Sequence, residues 1–341
     1  MEIIVPCAGL STRFPNVRPK YLLTAYDGEM MVQKAVKNYI DVYSINIVIL
    51  KQHDIQFDAS KKLKDVFKFN DNVNIIILDE PTSGPADTVY QAIKKANLNP
   101  DERLLVKDCD SFYDAPEMYG NAIFVSKLSE NPNLRNVSAK SYIISNNQNI
   151  VSSIIEKKIV SDHFCVGGYQ FESVIKYIDA FDKLTSTQTN EIFVSDIIDY
   201  MLSNDEVFLH QEVESFIDVG TLDDWMKFND KPTYFCDIDG TIVKTKFGFY
   251  HEYEIIQENV DALLKKIEEG CKIIFCTARS YEYQEITRNM LKTLGFVDYQ
   301  LVMNVNHSRR VIINDYANSN PYPSAVAVNI ERDSNKLKDM L

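Results

Sequence analysis

The chain has 341 residues, of which 45% are hydrophobic and 25% charged, with a formal charge of −13. That length exceeds what one core usually serves, so two folded domains are the default reading, and the composition excludes a disordered chain. Without blocks of Lys and Arg, an acidic chain is not a nucleic-acid binder, although a few placed cations and backbone N–H groups still suffice for phosphate ligands.

In chain order, "EIIVP", "INIVIL", "VNIIILD" and "RLLVKD" read as buried strands, with "MMVQKAVKNYI" and "ADTVYQAIKKA" as helices between them. This alternation predicts an α/β fold with parallel sheet covered by helices. The stretch "KFNDKPTYFCDIDGT" predicts a boundary: a helix-like segment ends near Phe228, Pro232 lies in a polar turn and a buried strand opens at Thr233. The predicted domains are 1–230 and 231–341. Past the boundary, "TYFCDID", "CKIIFCTA" and "RRVIIND" read as strands, and "NVDALLKKIEEG" as a helix stopped by Gly270.

The six cysteines are scattered, without a CxxC pair or zinc-like spacing, and read as buried thiols of a reducing cytosol. The N-terminus enters a strand directly and no run approaches a membrane span, which predicts a cytoplasmic protein without a membrane partner. The five histidines, His53, His163, His210, His251 and His307, show no metal pattern in the sequence. His251 and His307 lie near the second candidate site, and Trp225 reads as core packing.

The stretch "VPCAGLSTRFPNVRPKYLL" runs from a strand into a small-residue loop. Ala8, Gly9 and Ser11 let backbone approach a phosphate chain, a following helix is expected to offer free N–H groups, and Arg13 and Lys20 neutralise the remaining charge. "VKDCDSFY" and "FIDVGTLDDW" put Asp108, Asp110 and Asp218 at strand ends, where ligands of open α/β sheets collect. Carboxylates from separate strands suit a Mg²⁺ that keeps positions open for substrate phosphates.

With "PTSGPADTV", "IIEKK…CVGGYQF", "EIFVSDII" and "IDVGT" following in order, these residues resemble the sugar-phosphate nucleotidyltransferase family over the N-terminal two thirds of the chain. The resemblance implies a Rossmann-like domain with a GT-A-like mixed sheet. Its implied reaction transfers a nucleotidyl group from a nucleoside triphosphate to a phosphorylated sugar or polyol, releasing pyrophosphate. By the same resemblance, Ala8, Gly9, Leu10, Ser11 and Thr12 hold the nucleotide, with Gly84 and Ala86 bordering the base. Arg13 holds the triphosphate and Lys20 stabilises charge developing towards pyrophosphate. Asp110 and Asp218 hold Mg²⁺ with Asp108 in support, while Glu156, Lys157 or Lys158, Gly168 and Asp196 face the acceptor. The family loop usually carries a second glycine where this chain has Ser11, which predicts a changed loop geometry.

In "YFCDIDGTIV", Asp237 and Asp239 stand two apart after an apolar strand, suited to be nucleophile and acid/base. "IIFCTAR" offers the Thr277 hydroxyl to a phosphate oxygen, and "VIINDYA" offers Asp315 to Mg²⁺. This order resembles the small phosphatases of the haloacid-dehalogenase superfamily, and implies a small uncapped α/β domain in which Asp237, Asp239 and Asp315 bind Mg²⁺ and an aspartyl-phosphate forms. The lysine expected before the last strand is missing from "NVNHSRRVIIND", which leaves Arg309 or Arg310 to supply the positive charge.

Together the two resemblances imply a bifunctional, Mg²⁺-dependent enzyme of surface polysaccharide precursor synthesis, with CTP favoured as donor. The alternatives are a cytidylyltransferase for a non-sugar acceptor such as phosphocholine, and a nucleotidyltransferase with an inactive scaffold or regulatory second domain. A monomer and a homo-oligomer are both compatible with the sequence.

Overall fold

The computed structural model describes residues 1–117, 119–186, 191–246, 250, 252–314 and 325–341. The chain divides into two compact units, Met1–Trp225 and Met226–Leu341.

The first unit contains β1 (Glu2–Pro6), β2 (Ser44–Leu50), β3 (Val73–Leu78), β4 (Leu104–Lys107), β5 (Ser111–Asp114), β6 (Asn121–Lys127), β7 (Tyr142–Ser145), β8 (Val151–Ile155), β9 (His163–Phe171), β10 (Phe208–Glu212) and β11 (Glu214–Asp218). Its helices are α1 (Met31–Val36), α2 (Lys51–Phe57), α3 (Ala59–Val66), α4 (Pro85–Ala96), α5 (Val174–Thr185) and α6 (Val194–Leu202), and α7 (Leu222–Phe228) runs across the division at Trp225.

The main sheet runs β10-β6-β9-β4-β1-β2-β3, with β7 and β8 attached beside β9. β1 and β2 are central and, past the polar Glu2, Ser44 and buried Asn46, apolar because both faces are covered, whereas the outer β3 buries alternate residues more weakly. The β4-β1-β2-β3 half is parallel, but β9 runs antiparallel to both β4 and β6, so the sheet is mixed. α4 shows how the covering helices form: Pro85 occupies the first turn, Ala86, Val89, Ala92 and Ile93 face the core, and Asn97 ends it in the left-handed region. A separate antiparallel pair, β5 with β11, sets Ser111 opposite Asp218.

The loop after β1 departs from expectation. No α-helix follows it; a short 3-10 turn at Lys20–Leu22 does, and α1 begins only at Met31. Pro15 and Pro19 account for this, since each lacks an N–H and biases its predecessor away from helical backbone.

The second unit has a parallel three-stranded sheet of β12 (Thr233–Cys236), β13 (Lys272–Cys276) and β14 (Gln300–Val302). Around it lie α8 (Gln257–Glu268) and α9 (Gln284–Thr293), packed on Ile238, Val260, Leu263, Phe275, Leu291 and Phe296. Gly270 follows α8 with a φ of 92°, the left-handed end expected of it.

Among the described residues of "RRVIIND", 309–314, the expected strand is not formed. Residues 311–314 carry no regular structure and stand exposed, Ile313 at 92%. β-branched residues supply propensity, but a strand also needs a ladder, and the described strand pairings of this unit join β12, β13 and β14. Among the described residues no helix is long and apolar enough to cross a membrane.

Candidate functional site

The carboxylates of the first unit converge because β5 and β11 pair. The Val219 N–H donates to the Asp110 carbonyl at 2.9 Å, bringing a residue from the far end of the unit onto the loop between β4 and β5. At the meeting point stands Gly220. A Cβ there would lie 3.0 Å from Asp218 Oδ1, 3.4 Å from Asp110 Oδ2 and 3.5 Å from Arg13 Nη1. The missing side chain thus leaves a small space bounded by two carboxylates and a guanidinium, a cradle that fits a divalent oxygen-liganded cation such as Mg²⁺.

Each carboxylate has its own lysine. Lys20 Nζ is 2.5 Å from Asp110 Oδ2, with Arg13 Nη2 at 3.6 Å, and Lys140 Nζ is 2.7 Å from Asp218 Oδ2. Burial pushes the Asp110 carboxyl up, but Lys20 and Arg13 outweigh it and hold the group well below the ordinary carboxylate range. For Lys20, burial disfavours the charge and Asp110 overcomes that, so its ammonium stays protonated across the neutral range.

Asp108 lies against Gly167, whose φ is 77° and where a Cβ would come within 2.3 Å of Asp108 Oδ2. Burial, then the charge of Asp110, raises its pKa to about 6. Lys107, absent from the sequence-predicted set, is fully buried; it donates to the Asp108 carbonyl at 2.8 Å and to Ser111 O and Oγ at 2.6 and 3.0 Å. Its burial lowers its pKa to about 8. Lys107 therefore fixes the turn that presents Asp110, and Lys140 was likewise missed.

In the phosphate loop Ala8 is buried, while Gly9, Leu10 and Thr12 are exposed and Ser11 is half-buried. Ser11 adopts φ 52°, the region a glycine would favour, and its carbonyl accepts from Phe14 N at 2.8 Å. A serine thus carries left-handed backbone at this position.

Gly84 caps α4, and a Cβ there would lie 2.8 Å from Glu191 Cγ. Ala86, expected to border the base, lies in the first turn of α4. It is fully buried, its N–H donates to Ile192 O at 3.3 Å and its carbonyl accepts from Tyr177 Oη at 2.9 Å.

Glu156 accepts from Ser195 Oγ at 2.6 Å and from Ser141. Lys157 reaches over the Phe193 ring at 4.0 Å, and Lys158 is exposed. Gly168 pairs with Lys107 across the sheet, and Tyr113 Oη fills the place of its side chain, 1.9 Å from where a Cβ would stand. One oxygen of Asp196 accepts from Phe193 N at 2.8 Å, capping its own helix. A surface pocket of about 390 Å³, lined by residues such as Leu50, Lys51, Ile55 and Pro81, excludes the Asp110 cluster.

In the second unit Asp237 is exposed at the end of β12, with Arg310 Nη2 4.0 Å from its Oδ1. Partial burial raises its pKa, with Arg310 and His307 acting in the opposite direction. Asp239 is held at both oxygens by Arg279, through Nε at 2.9 Å and Nη2 at 2.7 Å. Thr277 is buried; its hydroxyl lies 3.4 Å from Asp239 Oδ2 and accepts from Arg279 N at 3.1 Å. Arg309 is exposed. Asp315 and His251 lie outside the described residues. The guanidinium of Arg279 also donates to Thr287 Oγ1 at 3.1 Å and lies 4.4 Å from the Tyr250 ring.

A nucleotidyl transferase family model matches residues 14–233. The chain belongs to that family. A haloacid dehalogenase-like hydrolase model matches residues 234–324, so a nucleotidyl transferase is followed in one chain by a hydrolase-like unit, and the protein is an enzyme. No curated protein matches the chain.

Among solved structures, the transferase part is similar to a nucleoside-diphosphate-sugar pyrophosphorylase from Vibrio cholerae RC9, at 18% identity and a TM-score of 0.57, covering 68% of this chain and 100% of that one. It is also similar to the inositol-1-phosphate CTP transferase from T. maritima, at 14% identity and a TM-score of 0.53, covering 67% and 96%. A UDP-glucose pyrophosphorylase shares 15% identity at a TM-score of 0.50, over 67% and 97%. These likenesses place the fold of the nucleotidyl transferase unit.

Proposed function

We propose that the first unit transfers a nucleotidyl group from a nucleoside triphosphate, with CTP as the favoured donor, to a phosphorylated sugar or polyol in a Mg²⁺-dependent reaction. The convergence of Asp110, Asp218 and Arg13 on the open space at Gly220 carries this reading.

In the reaction an acceptor phosphate oxygen forms a bond to the α-phosphorus as the bond to pyrophosphate breaks. Such in-line transfer depends on positioning and charge stabilisation rather than on a covalent intermediate. Asp110 and Asp218 would hold Mg²⁺, which when bound supplies positive charge to the phosphate oxygens. Arg13, exposed at the mouth of the loop, would receive the triphosphate. Lys20, protonated because of Asp110, would face the charge that develops on the leaving pyrophosphate. The loop Gly9–Thr12 would lie along the phosphates, and Glu156 and Lys157 would meet the acceptor.

The second unit is proposed to hydrolyse a phosphate monoester through Asp237, with Arg310 replacing the missing lysine, in the supply of surface polysaccharide precursors. A second reading, an inactive scaffold, is favoured by one observation: both oxygens of Asp239 are already taken by Arg279.

The test incubates the full chain with Mg²⁺, each of five nucleoside triphosphates and a panel of sugar and polyol phosphates, and follows pyrophosphate and inorganic phosphate separately. Pyrophosphate release that needs both a triphosphate and an acceptor supports the transferase; none with any pair overturns it. Phosphate release that disappears in Asp237→Asn supports hydrolysis, and its absence in the wild type selects the scaffold.

A further inference from the structure

Away from the residues assigned to nucleotidyl transfer, His163 at the start of β9 and His210 and Glu212 on β10 offer one ligand atom each, and these atoms lie within 4.8 Å of one another. Sheet register assembles them. His210 and Glu212 pair with Ile123 and Val125 of β6, and His163 pairs with Lys127 on the other side of that strand. Positions 123, 125 and 127 share one face, so their cross-strand partners share it too. The histidines, without pattern in the sequence, thus become neighbours only in the fold.

The geometry approaches a binding site. His163 Nε2 is 3.2 Å from Glu212 Oε1, and the two imidazole centroids are 4.9 Å apart. In a tetrahedral zinc site, bonds of about 2.0–2.1 Å place ligand atoms about 3.4 Å from each other. The His163–Glu212 pair already has that spacing.

His210 is 5% exposed, and its Nδ1 is buried without a hydrogen-bond partner. An orphaned buried nitrogen is costly, and a metal bond is one way to satisfy it. Lys127 Nζ bonds the other Glu212 oxygen, Oε2, at 2.8 Å, which orients the carboxylate from behind with Oε1 turned to His163 Nε2, where an ion would replace the direct contact.

We propose that His163, His210 and Glu212 bind a divalent transition metal of the zinc class, with water completing the coordination. Two imidazoles and a carboxylate suit zinc, whereas Mg²⁺ prefers an all-oxygen site such as the one at Gly220. The ion would tie the start of β9 across β6 to β10, the outermost strand of the main sheet.

The metal-free full chain, in excess Mg²⁺ to occupy the carboxylate sites, is titrated with ZnCl₂ by calorimetry and with CoCl₂ by visible absorption. The expected result is about one equivalent bound per chain with a tetrahedral cobalt band, and zinc affinity falling at least 10–100-fold in His163→Ala. Glu212→Gln, at a more exposed position, serves as the second variant, and circular dichroism checks that each is folded. Asp110→Asn is expected to leave zinc binding unchanged. Absence of zinc binding over Mg²⁺, or unchanged affinity in a folded His163→Ala or Glu212→Gln chain, overturns the site.

Discussion

In the first unit Asp110 and Asp218 each face one lysine, and these four side chains keep between 10% and 20% of their surface open. In the second, Asp239 is gripped at both oxygens by Arg279, whose side chain is 1% exposed. Partly exposed pairs joined through one lysine nitrogen exchange partners at less cost than a bidentate pair, so a metal ion and phosphates can take the place of a lysine. Asp239 itself is 23% exposed, but its partner is buried and bidentate, and opening the pair strands a charged guanidinium, so it resists exchange. The first cluster is the one proposed to receive a ligand; in the other, among the described residues, Asp237 stands exposed beside the held Asp239.

The largest effect expected from this contrast is on turnover. Asp110→Asn or Asp218→Asn should lower Mg²⁺-dependent nucleotidyl transfer by about 10²–10³-fold or more with unchanged circular dichroism. Asp237→Asn should leave transfer intact and remove phosphate release. A single substitution that removed both activities from a folded chain would break the separation between the sites.

Next in size is stability. Arg279→Leu leaves Asp239 and Thr287 without their buried partner and should destabilise the second unit by about 3–5 kcal/mol. In calorimetry a transition of that unit should shift down while the transition of the first stays in place. Unchanged melting of the second unit would show that the ion pair is dispensable.

A smaller effect is expected at Asp108. Its pKa of about 6 in the fold exceeds the ordinary 3.8, so the folded chain holds the extra proton between those values. Stability from this group is present at low pH and is lost as pH rises through 6. In metal-free protein, Asp108→Asn should therefore stabilise by on the order of 1–3 kcal/mol at pH 8 and by little at pH 4, read from denaturant titrations at the two pH values. Equal effects at both would contradict the assigned protonation.

The smallest is at Ser11, where glycine relieves the left-handed backbone but adds freedom to the unfolded chain, for a net change within about 1 kcal/mol. Ser11→Val should cost about 1–2 kcal/mol, because a β-branched residue tolerates φ 52° poorly.

Local signals made Arg13, Lys20, Asp110 and Asp237 legible, since each follows a strand the hydrophobic pattern reveals. The mixed sheet was legible only through resemblance, because the alternation of strands and helices does not show that β9 runs against its neighbours. Lys140, Lys107 and Gly220 were not seen as site residues: their positions depend on the β5–β11 pairing and on a buried turn, which are long-range outcomes. Arg279 stood inside the quoted "TAR", but the sequence could not show that its partner was Asp239. Val311, Ile312 and Ile313 failed for the opposite reason: strand composition alone did not place them in a ladder among the described residues. The His163–His210–Glu212 group was invisible because register alone brings it together.

The measurement that tests the central claim most directly is calorimetric titration of ATP, CTP, GTP, UTP and dTTP, each with Mg²⁺, into the wild type and Asp110→Asn. The account predicts tight, Mg²⁺-dependent binding of one nucleotide to the wild type and a marked loss in the variant. Binding of none of the five, or equal binding to both proteins, would contradict it.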